Sequence, residues 1–502
     1  MKVLIANRGE IAVRVIRACR ELGFQTVAVY ADADREALHV RMADEAVHIG
    51  ASPAADSYLR IDRLVDAARR TGATLVHPGY GFLAENEDFA AACSDAGLTF
   101  VGPGVRAIEL MGGKTSARDV ARSVGVPVVP GTDDPIPETA SDAEILRIAE
   151  GIGYPLLVKA VAGGGGKGMR TVTAPSDLLA SVRLARSEAG AAFGDSSVFL
   201  ERKIARPRHV EIQLLADHHG TVLPFVEREC SIQRRHQKLV EESPSTRISL
   251  EQRAAIAEAA RRVAAASGYT NAGTIEFLLD DSGAFYFLEM NTRLQVEHPI
   301  TEAVTGVDLV QWQLRIALGE RLTVSPEQAL TPRGHAIECR IIAEDPDQGF
   351  MPAPGLVRAL STPAGPGIRD DRGLTAGFTI PLFYDSLIAK LVVWGETRAD
   401  AVSRLTRALD EYRVVGVATT LPFFRWLVAQ PAFHDAEFDT TYLDRVLAAR
   451  TESFVTPPAD DTREAVIATA LSHWLEARRA AGREPEGQAS TWRRAARTEG
   501  LR

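Results

Sequence analysis

Apolar and polar residues follow two periods along this chain, and the two alternate through its N-terminal part. Val3–Ala6 and Thr26–Tyr30 are short apolar runs of the kind that form buried strands, whereas Glu10–Leu22 places Ile11, Val15, Ile16 and Cys19 at helical spacing. The succession recurs in Leu75–His77, the helical Glu87–Ala96 and Thr99–Val101. Strands separated by helices cannot pair through tight turns, so this region predicts a parallel sheet with helices on its faces. The helix Glu10–Leu22 turns Arg14, Arg17 and Glu21 away from its apolar stripe, which predicts that these side chains are exposed.

A different pattern governs Glu289–Glu297. Every odd position is an acid, an amide or Arg, and the even positions are Met, Thr, Leu and Val. An extended strand would set Glu289, Asn291, Arg293, Gln295 and Glu297 on one face. Upstream, Thr274–Leu279 and Ala284–Glu289 flank Asp280-Asp281-Ser282-Gly283 and read as a hairpin. With Leu279 opposite Ala284, Glu276 falls opposite Phe287, and Glu289 lies two residues further along the same face. Glu276, Glu289 and Asn291 then form a cluster of oxygen ligands suited to a hard cation such as Mg²⁺. A one-residue slip would scatter it. Alternation of this kind usually marks a half-solvated strand, but this polar face lacks the usual Lys, Thr and Ser.

The glycine clusters change the picture only in part. Gly102-Pro103-Gly104-Val105-Arg106-Ala107 fits G-x-G-x-x-A, yet Pro103 stiffens the loop and no strand-ending acid follows about 20 residues on, so it is a poor dinucleotide fingerprint. Met111–Thr115 ends like a Walker A loop, but Ile108 stands where its first glycine belongs. In Gly163–Gly168, Gly168 stands where Ser or Thr should hold Mg²⁺, so neither segment is a P-loop. The glycines Gly163–Gly166 join two strand-like segments, Pro155–Ala160 and Met169–Val172, and predict a hairpin whose backbone N–H groups fold over phosphates. Lys159, inside the apolar strand, must face a cavity or an anion, because an unpaired buried ammonium is costly. His209 lies on the polar side of the alternating run His209–Leu214. Arg234, Arg235, His236 and Lys238 form a basic cluster, ordinarily a solvated charge run. Beside carboxylates and an anion it becomes a candidate lid or clamp. Cys230, next to these cations, is read as a structural thiol.

At 502 residues the chain is long enough for about three or four domains. Its net charge of −9 argues against a nucleic-acid binder. Its four cysteines include no C-x-x-C pair, which disfavours zinc ribbons and dithiol redox sites and suits a reducing cytoplasm. Met1–Ala6 is too short for a signal peptide, and no run of about 18 apolar residues offers a membrane span.

Together these motifs resemble biotin carboxylase, the ATP-grasp component of biotin-dependent acyl-CoA and pyruvate carboxylases. The resemblance rests on Ile5–Ala12, His77–Asn86, Gly163–Arg170, Arg208–Gln213, Gln233–Lys238, Glu289–Pro299, Gly334–Arg340 and Tyr384-Asp385-Ser386, and it covers residues 1 to about 447. It implies a multi-domain fold of α/β and α+β type. A Rossmann-like domain is expected over 1–112 and an ATP-grasp domain over 113–330, with its Gly-rich lid at about 131–203. A C-terminal biotin carboxylase domain over 331–447 would be followed by a linker and the start of a subunit-docking region over 448–502. Arg463–Ala481 is expected to be helical.

The resemblance also implies roles. Lys114 and Lys159 match lysines on the ATP phosphates, under a lid containing Gly164, Gly165 and Gly166. Glu201 and Ile204 match the adenine-holding segment, and His209, Gln233 and His236 match the nucleotide pocket. Glu276 and Glu289, helped by Asn291, match ligands of two divalent cations, Mg²⁺ or Mn²⁺. Lys238, Arg293, Gln295 and the backbone of Val296 match a bicarbonate cradle, Glu297 the base that deprotonates bicarbonate, Arg340 the partner of the biotin enolate, and Tyr80 an aromatic near the biotin ring. The implied reaction is ATP-dependent carboxylation of biotin on a carrier, through carboxyphosphate. The implied partners are a biotin carboxyl carrier protein or domain, the carboxyltransferase (β) subunit, and another copy of this chain in a homodimer or larger complex; nucleic acid and membrane are not expected. Biotin is expected on the carrier, because no Met-Lys-Met acceptor motif occurs in this sequence. Lys167 stands where many relatives carry Arg, and Ser490–Arg494 resembles the first strand of the docking region of acyl-CoA carboxylase α subunits. Two other classes compete: an ATP-grasp ligase joining a carboxylate to an amine, and a nucleotide-binding scaffold without activity. Within the family, the biotin carboxylase part of a pyruvate carboxylase is the alternative. Gln233–Lys238 with Arg293, Gln295 and Glu297 favours bicarbonate.

Overall fold

Five parallel strands open the chain, in the spatial order Glu45–Gly50, Gln25–Ala31, Lys2–Ile5, Leu75–His77, Thr99–Phe100. The computed structural model describes residues 1–161, 169–455 and 462–481. The central strand is apolar at every buried position because both of its faces are covered. Val3 and Ile5 pack with Ile11, Val15 and Ile16 of the helix Gly9–Glu21, whereas Leu4 joins Leu64 and Ala67 of the helix Ile61–Thr71 on the other side. The expected strands and helices stand within a residue of their predicted ends, while Glu45–Gly50 and Ile61–Thr71 are additions to them. Strand order reverses between Lys2–Ile5 and Leu75–His77, the place where open α/β sheets leave a crevice. There the Asn7 amide donates to the carbonyls of Pro78 (2.7 Å) and Tyr80 (2.8 Å), fixing the loop that carries Tyr80.

The expectation for Arg14 is wrong. Arg17 and Glu21 are exposed, but Arg14 is buried and pairs with Glu302 (2.9 Å) and Asp308 (2.7 Å). Glu302 and Asp308, which follow Glu297 in the chain, cover the part of the polar side that carries Arg14, while the rest meets solvent.

The second sheet has nine strands, all antiparallel. Its order is Phe285–Asn291, Asn271–Leu279, Arg208–Ala216, Arg228–Arg234, Gln237–Ser243, His335–Ile342, Leu387–Gly395, Ile368–Arg372, with Val222–Pro224 paired beside Arg208–Ala216. Strand periodicity sorts its side chains. Val210, Ile212, Leu214, Ile275 and Phe277 pack on Ile256, Ala260 and Val263 of the helix Leu250–Ala266. The alternate positions His209, Glu211, Gln213 and Glu276 are therefore on the opposite side, and they too are buried.

A third sheet, of three antiparallel strands, orders Arg170–Val172, Leu156–Ala160, Val198–Arg202 and packs on the helices Asp142–Ile152 and Pro175–Phe193. Gly164, Gly165, Gly166 and Lys167 lie outside the described residues; the strands flanking them pair as neighbours, Leu156 opposite Val172.

Contacts divide the chain into one unit spanning Met1–Glu452 and another beginning at Ser453. In the second, Thr462–Ala481 is a helix, as expected, with Ile467, Leu471 and Trp474 exposed. Ser490–Arg494 lies outside the described residues. Among the described residues, no helix is long and apolar enough to cross a membrane.

Candidate active site

The polar row Glu289–Glu297 is not one strand face. The strand stops at Asn291, and Glu297 already caps the helix His298–Thr305, with Pro299 in its first turn. The ladder ends where a carboxylate from the first domain intervenes: Glu85 accepts from the Thr292 N–H (2.9 Å) and from the Arg293 Nε (2.9 Å). The chain then curls, so Glu289, Asn291, Arg293, Gln295, Val296 and Glu297 still line one cavity of about 370 Å³.

The hairpin register differs as well. Leu279 pairs with Phe285 and Phe277 with Phe287, and a bulge then sets Glu276 directly opposite Glu289. One extra residue in a bulged strand re-aims the side chains beyond it. Here it brings two carboxylates face to face that a regular ladder would stagger. The predicted turn is present, with Asp280 Oδ1 accepting from the N–H groups of Ser282 (2.9 Å) and Ala284 (3.0 Å).

One end of the cavity is a dense ion network. Lys238 Nζ donates to Glu297 (2.6 Å), Glu211 (2.6 Å) and Glu276 (2.9 Å). Burial pulls its pKa down, but these carboxylates hold the ammonium well above the ordinary Lys range. Arg340 donates to Glu241 through Nε (2.6 Å) and to Glu297 through Nη2 (3.0 Å). Burial pushes the Glu297 pKa up, yet Lys238, Arg340 and Arg228 outweigh it and hold the carboxyl well below the usual range. Beneath them Arg228, wholly buried, pairs with Glu211 and donates to Gln213 (2.9 Å), Thr274 (3.0 Å), Thr301 (3.0 Å) and Gln295 (2.7 Å). Gln295 passes the link on, donating to Glu276 (2.8 Å).

Lys114, Lys159, Glu201 and Glu289 also line the cavity. Lys159 has the anionic partner its position in an apolar strand demands, Glu201, which also pairs with Arg118 (3.0 Å). Burial and the facing Glu276 charge push the Glu289 pKa up, against Lys114, His209 and Lys238. Burial lowers the Lys114 pKa, with Lys159 adding to the shift and Glu289 opposing it. Asn291 donates to Glu276 (2.9 Å), and its oxygen accepts from Arg293 (3.1 Å). Glu276, buried, and Glu289, half-buried and opposite it on the ladder, offer oxygen donors of the kind a hard divalent cation takes.

Of the basic cluster, only part enters the cavity. The strands Arg228–Arg234 and Gln237–Ser243 meet through a two-residue turn in which Arg235 (φ 48°) and His236 (φ 67°) both take the left-handed conformation. Such a turn matches strand twist but normally selects Asn-Gly. It sends Arg234 out to the Gly349 carbonyl (2.6 Å) and brings His236, Gln237 and Lys238 to the cavity. His209 stands between Glu276 (3.1 Å) and Gln233 (3.0 Å). Ile204 is buried and, like Tyr80, outside the lining; the Tyr80 ring centroid is 5.6 Å from Lys390. Cys230 is buried and its pKa pushed well above the ordinary thiol value, as fits a structural thiol.

Sequence reasoning missed Arg228, Glu211 and Lys390. Arg228 stands between Glu227 and Glu229, a pattern that does not differ from a solvated charge run. Lys390 sits in Leu387–Val393, an apolar strand, where its ammonium, like that of Lys159, needs a polar partner.

Lysines beside facing carboxylates, and a carboxylate held by Lys238 and Arg340, suit an enzyme that handles phosphates. Comparison with known proteins agrees. Residues 1–108 match the family described as biotin carboxylase, N-terminal domain, residues 113–325 the carbamoyl-phosphate synthase L chain, ATP binding domain, and residues 338–445 the biotin carboxylase C-terminal domain. A biotin carboxylase of Nostoc sp. is 50% identical over 445 residues, covering 89% of this chain and 99% of that one. A pyruvate carboxylase subunit of Methanothermobacter thermautotrophicus is 50% identical over 443 residues, 88% of this chain and 89% of that one. A solved structure, the biotin carboxylase domain dimer of the Hydrogenobacter thermophilus 2-oxoglutarate carboxylase with MgADP, ADP and bicarbonate, superposes with a TM-score of 0.86 at 48% identity, covering 91% of this chain and 99% of that one. The chain belongs to the biotin carboxylase family, and it is an ATP-dependent ligase that carboxylates biotin.

Proposed function

We propose that this cavity performs the first half-reaction of an acyl-CoA carboxylase, with the residues in the following roles. Bicarbonate binds against Lys238, Arg293, Gln295 and the Val296 N–H, and Glu297 takes its proton. The freed oxygen attacks the γ-phosphorus of ATP, forming carboxyphosphate as the bond to ADP breaks. Lys114 and Lys159 offset charge on the transferring phosphoryl group, since phosphoryl transfer is mostly positioning and charge neutralisation. Carboxyphosphate yields CO₂ and phosphate, phosphate removes the biotin N1 proton, and Arg340 steadies the resulting enolate while it captures CO₂. Tyr80 flanks the biotin ring, and Glu201, Ile204, His209, Gln233 and His236 hold the nucleotide. Glu276 and Glu289, with Asn291, would hold two Mg²⁺ or Mn²⁺ ions, which neutralise phosphate charge.

The observation that carries this reading is Glu297, held at 2.6 Å from Lys238 and 3.0 Å from Arg340. A carboxylate clamped this way is a weak base. An incoming anion that draws Lys238 and Arg340 toward itself raises its basicity, so the base is strengthened only when bicarbonate is bound. Domain limits of 1–112, 113–330 with a lid at about 131–203, and 331–447 accompany the proposal. A biotin carboxyl carrier and a carboxyltransferase would complete the assembly, with this chain as a dimer in the cytoplasm.

Bicarbonate- and biotin-dependent ADP release in Glu297→Gln, beside the parent, tests the base. The expected loss is roughly 10²- to 10⁴-fold, and equal rates would remove Glu297 from the chemistry. The matching 50% identities to a biotin carboxylase and to a pyruvate carboxylase subunit leave the final acceptor to the partner. Reconstitution with acyl-CoA and pyruvate carboxyltransferases distinguishes the two.

A further inference from the structure

Lys390 has no exposed surface and does not line the cavity, yet it touches three parts of the molecule that meet beneath it. Its Nζ donates to the Val296 carbonyl at 3.0 Å. It lies 3.2 Å from Glu10 in the helix Gly9–Glu21 and 5.6 Å from the centroid of the Tyr80 ring, within cation–π range. On the sheet it pairs with Arg340 on one side and with Asp371 on the other. Ile388, Ala389, Leu391, Val392 and Val393 around it are buried and apolar. An apolar residue would suit that strand, because a buried ion pair seldom improves stability over hydrophobic packing.

We propose that Lys390 is a positioning residue, whose ammonium fixes the Val296 carbonyl and the Tyr80 ring and so sets the bicarbonate and biotin sides of the cavity relative to each other. The inference rests on the functional reading above. Val296 lies beyond the end of the strand, in the curl between Asn291 and the helix His298–Thr305, where no ladder holds it. A charge-assisted hydrogen bond to its carbonyl orients the peptide that joins it to Glu297. The preceding peptide, which carries the Val296 N–H, is constrained with it. Lys390 thus acts from below on the backbone that meets bicarbonate, and touches no substrate.

The test compares Lys390→Met, Lys390→Met with Glu10→Gln, and Glu10→Gln alone. The double variant removes the ammonium together with a balancing carboxylate, and the single Glu10 change leaves the Val296 bond in place. Bicarbonate-dependent ADP release gives KM for bicarbonate and for MgATP separately, with Tm recorded for each protein. Both Lys390 variants should raise the bicarbonate KM roughly ten-fold, as expected for loss of one charged hydrogen bond. Their MgATP KM should stay within about two-fold of the parent, as should both constants for Glu10→Gln. An unchanged bicarbonate KM, an equal rise in both constants, or a Glu10→Gln effect as large as that of Lys390→Met would overturn the assignment. Failure of both Lys390 variants to fold would overturn it too, by making the ammonium a stability element. A parent whose ADP release ignores bicarbonate removes the functional reading and the inference together. A bicarbonate-dependent parent unaffected by the Lys390 changes removes the inference alone.

Discussion

Glu289 and Glu297 lie in one segment and line one cavity, but their charges are handled in opposite ways. Glu297 is surrounded by cations from the strand pair Gln237–Ser243 and His335–Ile342, which hold it ionised against burial. Glu289 is set against another carboxylate, and burial plus that neighbour make its charge costly. Glu297 therefore has its counter-charges in neighbouring side chains. The Glu276–Glu289 pair concentrates negative charge, which favours positive charge beside it.

Four measurements probe this contrast. Lys238→Met should have the largest effect on stability, because it leaves Glu211, Glu276 and Glu297 buried without their shared ammonium. Breaking a buried pair on one side costs about 3–5 kcal/mol, readable by urea denaturation, and a loss below about 1 kcal/mol would mean the network is not self-compensated. Glu289→Gln should leave Tm unchanged or raised while shifting the Mg²⁺ dependence of ATP cleavage by roughly ten-fold. A Tm loss comparable to that of Lys238→Met would erase the contrast.

Acid titration extends it to Glu302 and Asp371. Burial pushes both up, but Arg14 and Arg369 at Glu302, and Arg369 and Lys390 at Asp371, lower each to about 2 from ordinary values of 4.5 and 3.8. A carboxyl whose folded pKa is depressed stabilises above its unfolded pKa and loses that contribution as pH falls toward the folded value. Tm should therefore decline below about pH 4.5 and continue down toward pH 2, with a shallower decline in Glu302→Gln. A flat Tm over that range would mean that these pairs do not contribute. The smallest effect belongs to the exposed pair Glu258–Arg261 (2.7 Å), where Glu258→Ala should change stability by no more than about 0.5 kcal/mol.

The alternating strand–helix pattern was legible because buried parallel strands and amphipathic helices leave strong periodic signals. The Glu276–Glu289 pair was legible as residues but not as geometry: the bulge that sets one against the other adds a residue without altering the apolar pattern. The row ending at Glu297 kept its chemistry and lost its strand, since side chains on a curl can converge as well as those on one face. Arg14 and Arg228 were hidden for a shared reason. Polarity in a sequence signals exposure only when polar groups meet water, and here they meet Glu302, far along the chain, and Glu211, on the neighbouring strand. Lys390 carried a usable signal, a single cation inside an apolar strand.

The strand Gln237–Ser243 pairs with His335–Ile342 from Val240 opposite Cys339 to Ser243 opposite Ala336. That ladder welds the segment matching one family description to the segment matching the next. The two match separate family descriptions but share one sheet. A recombinant that took its C-terminal segment from a distant relative would exchange a whole sheet edge, and Arg340 would reach Glu297 only if the two edges still matched in register.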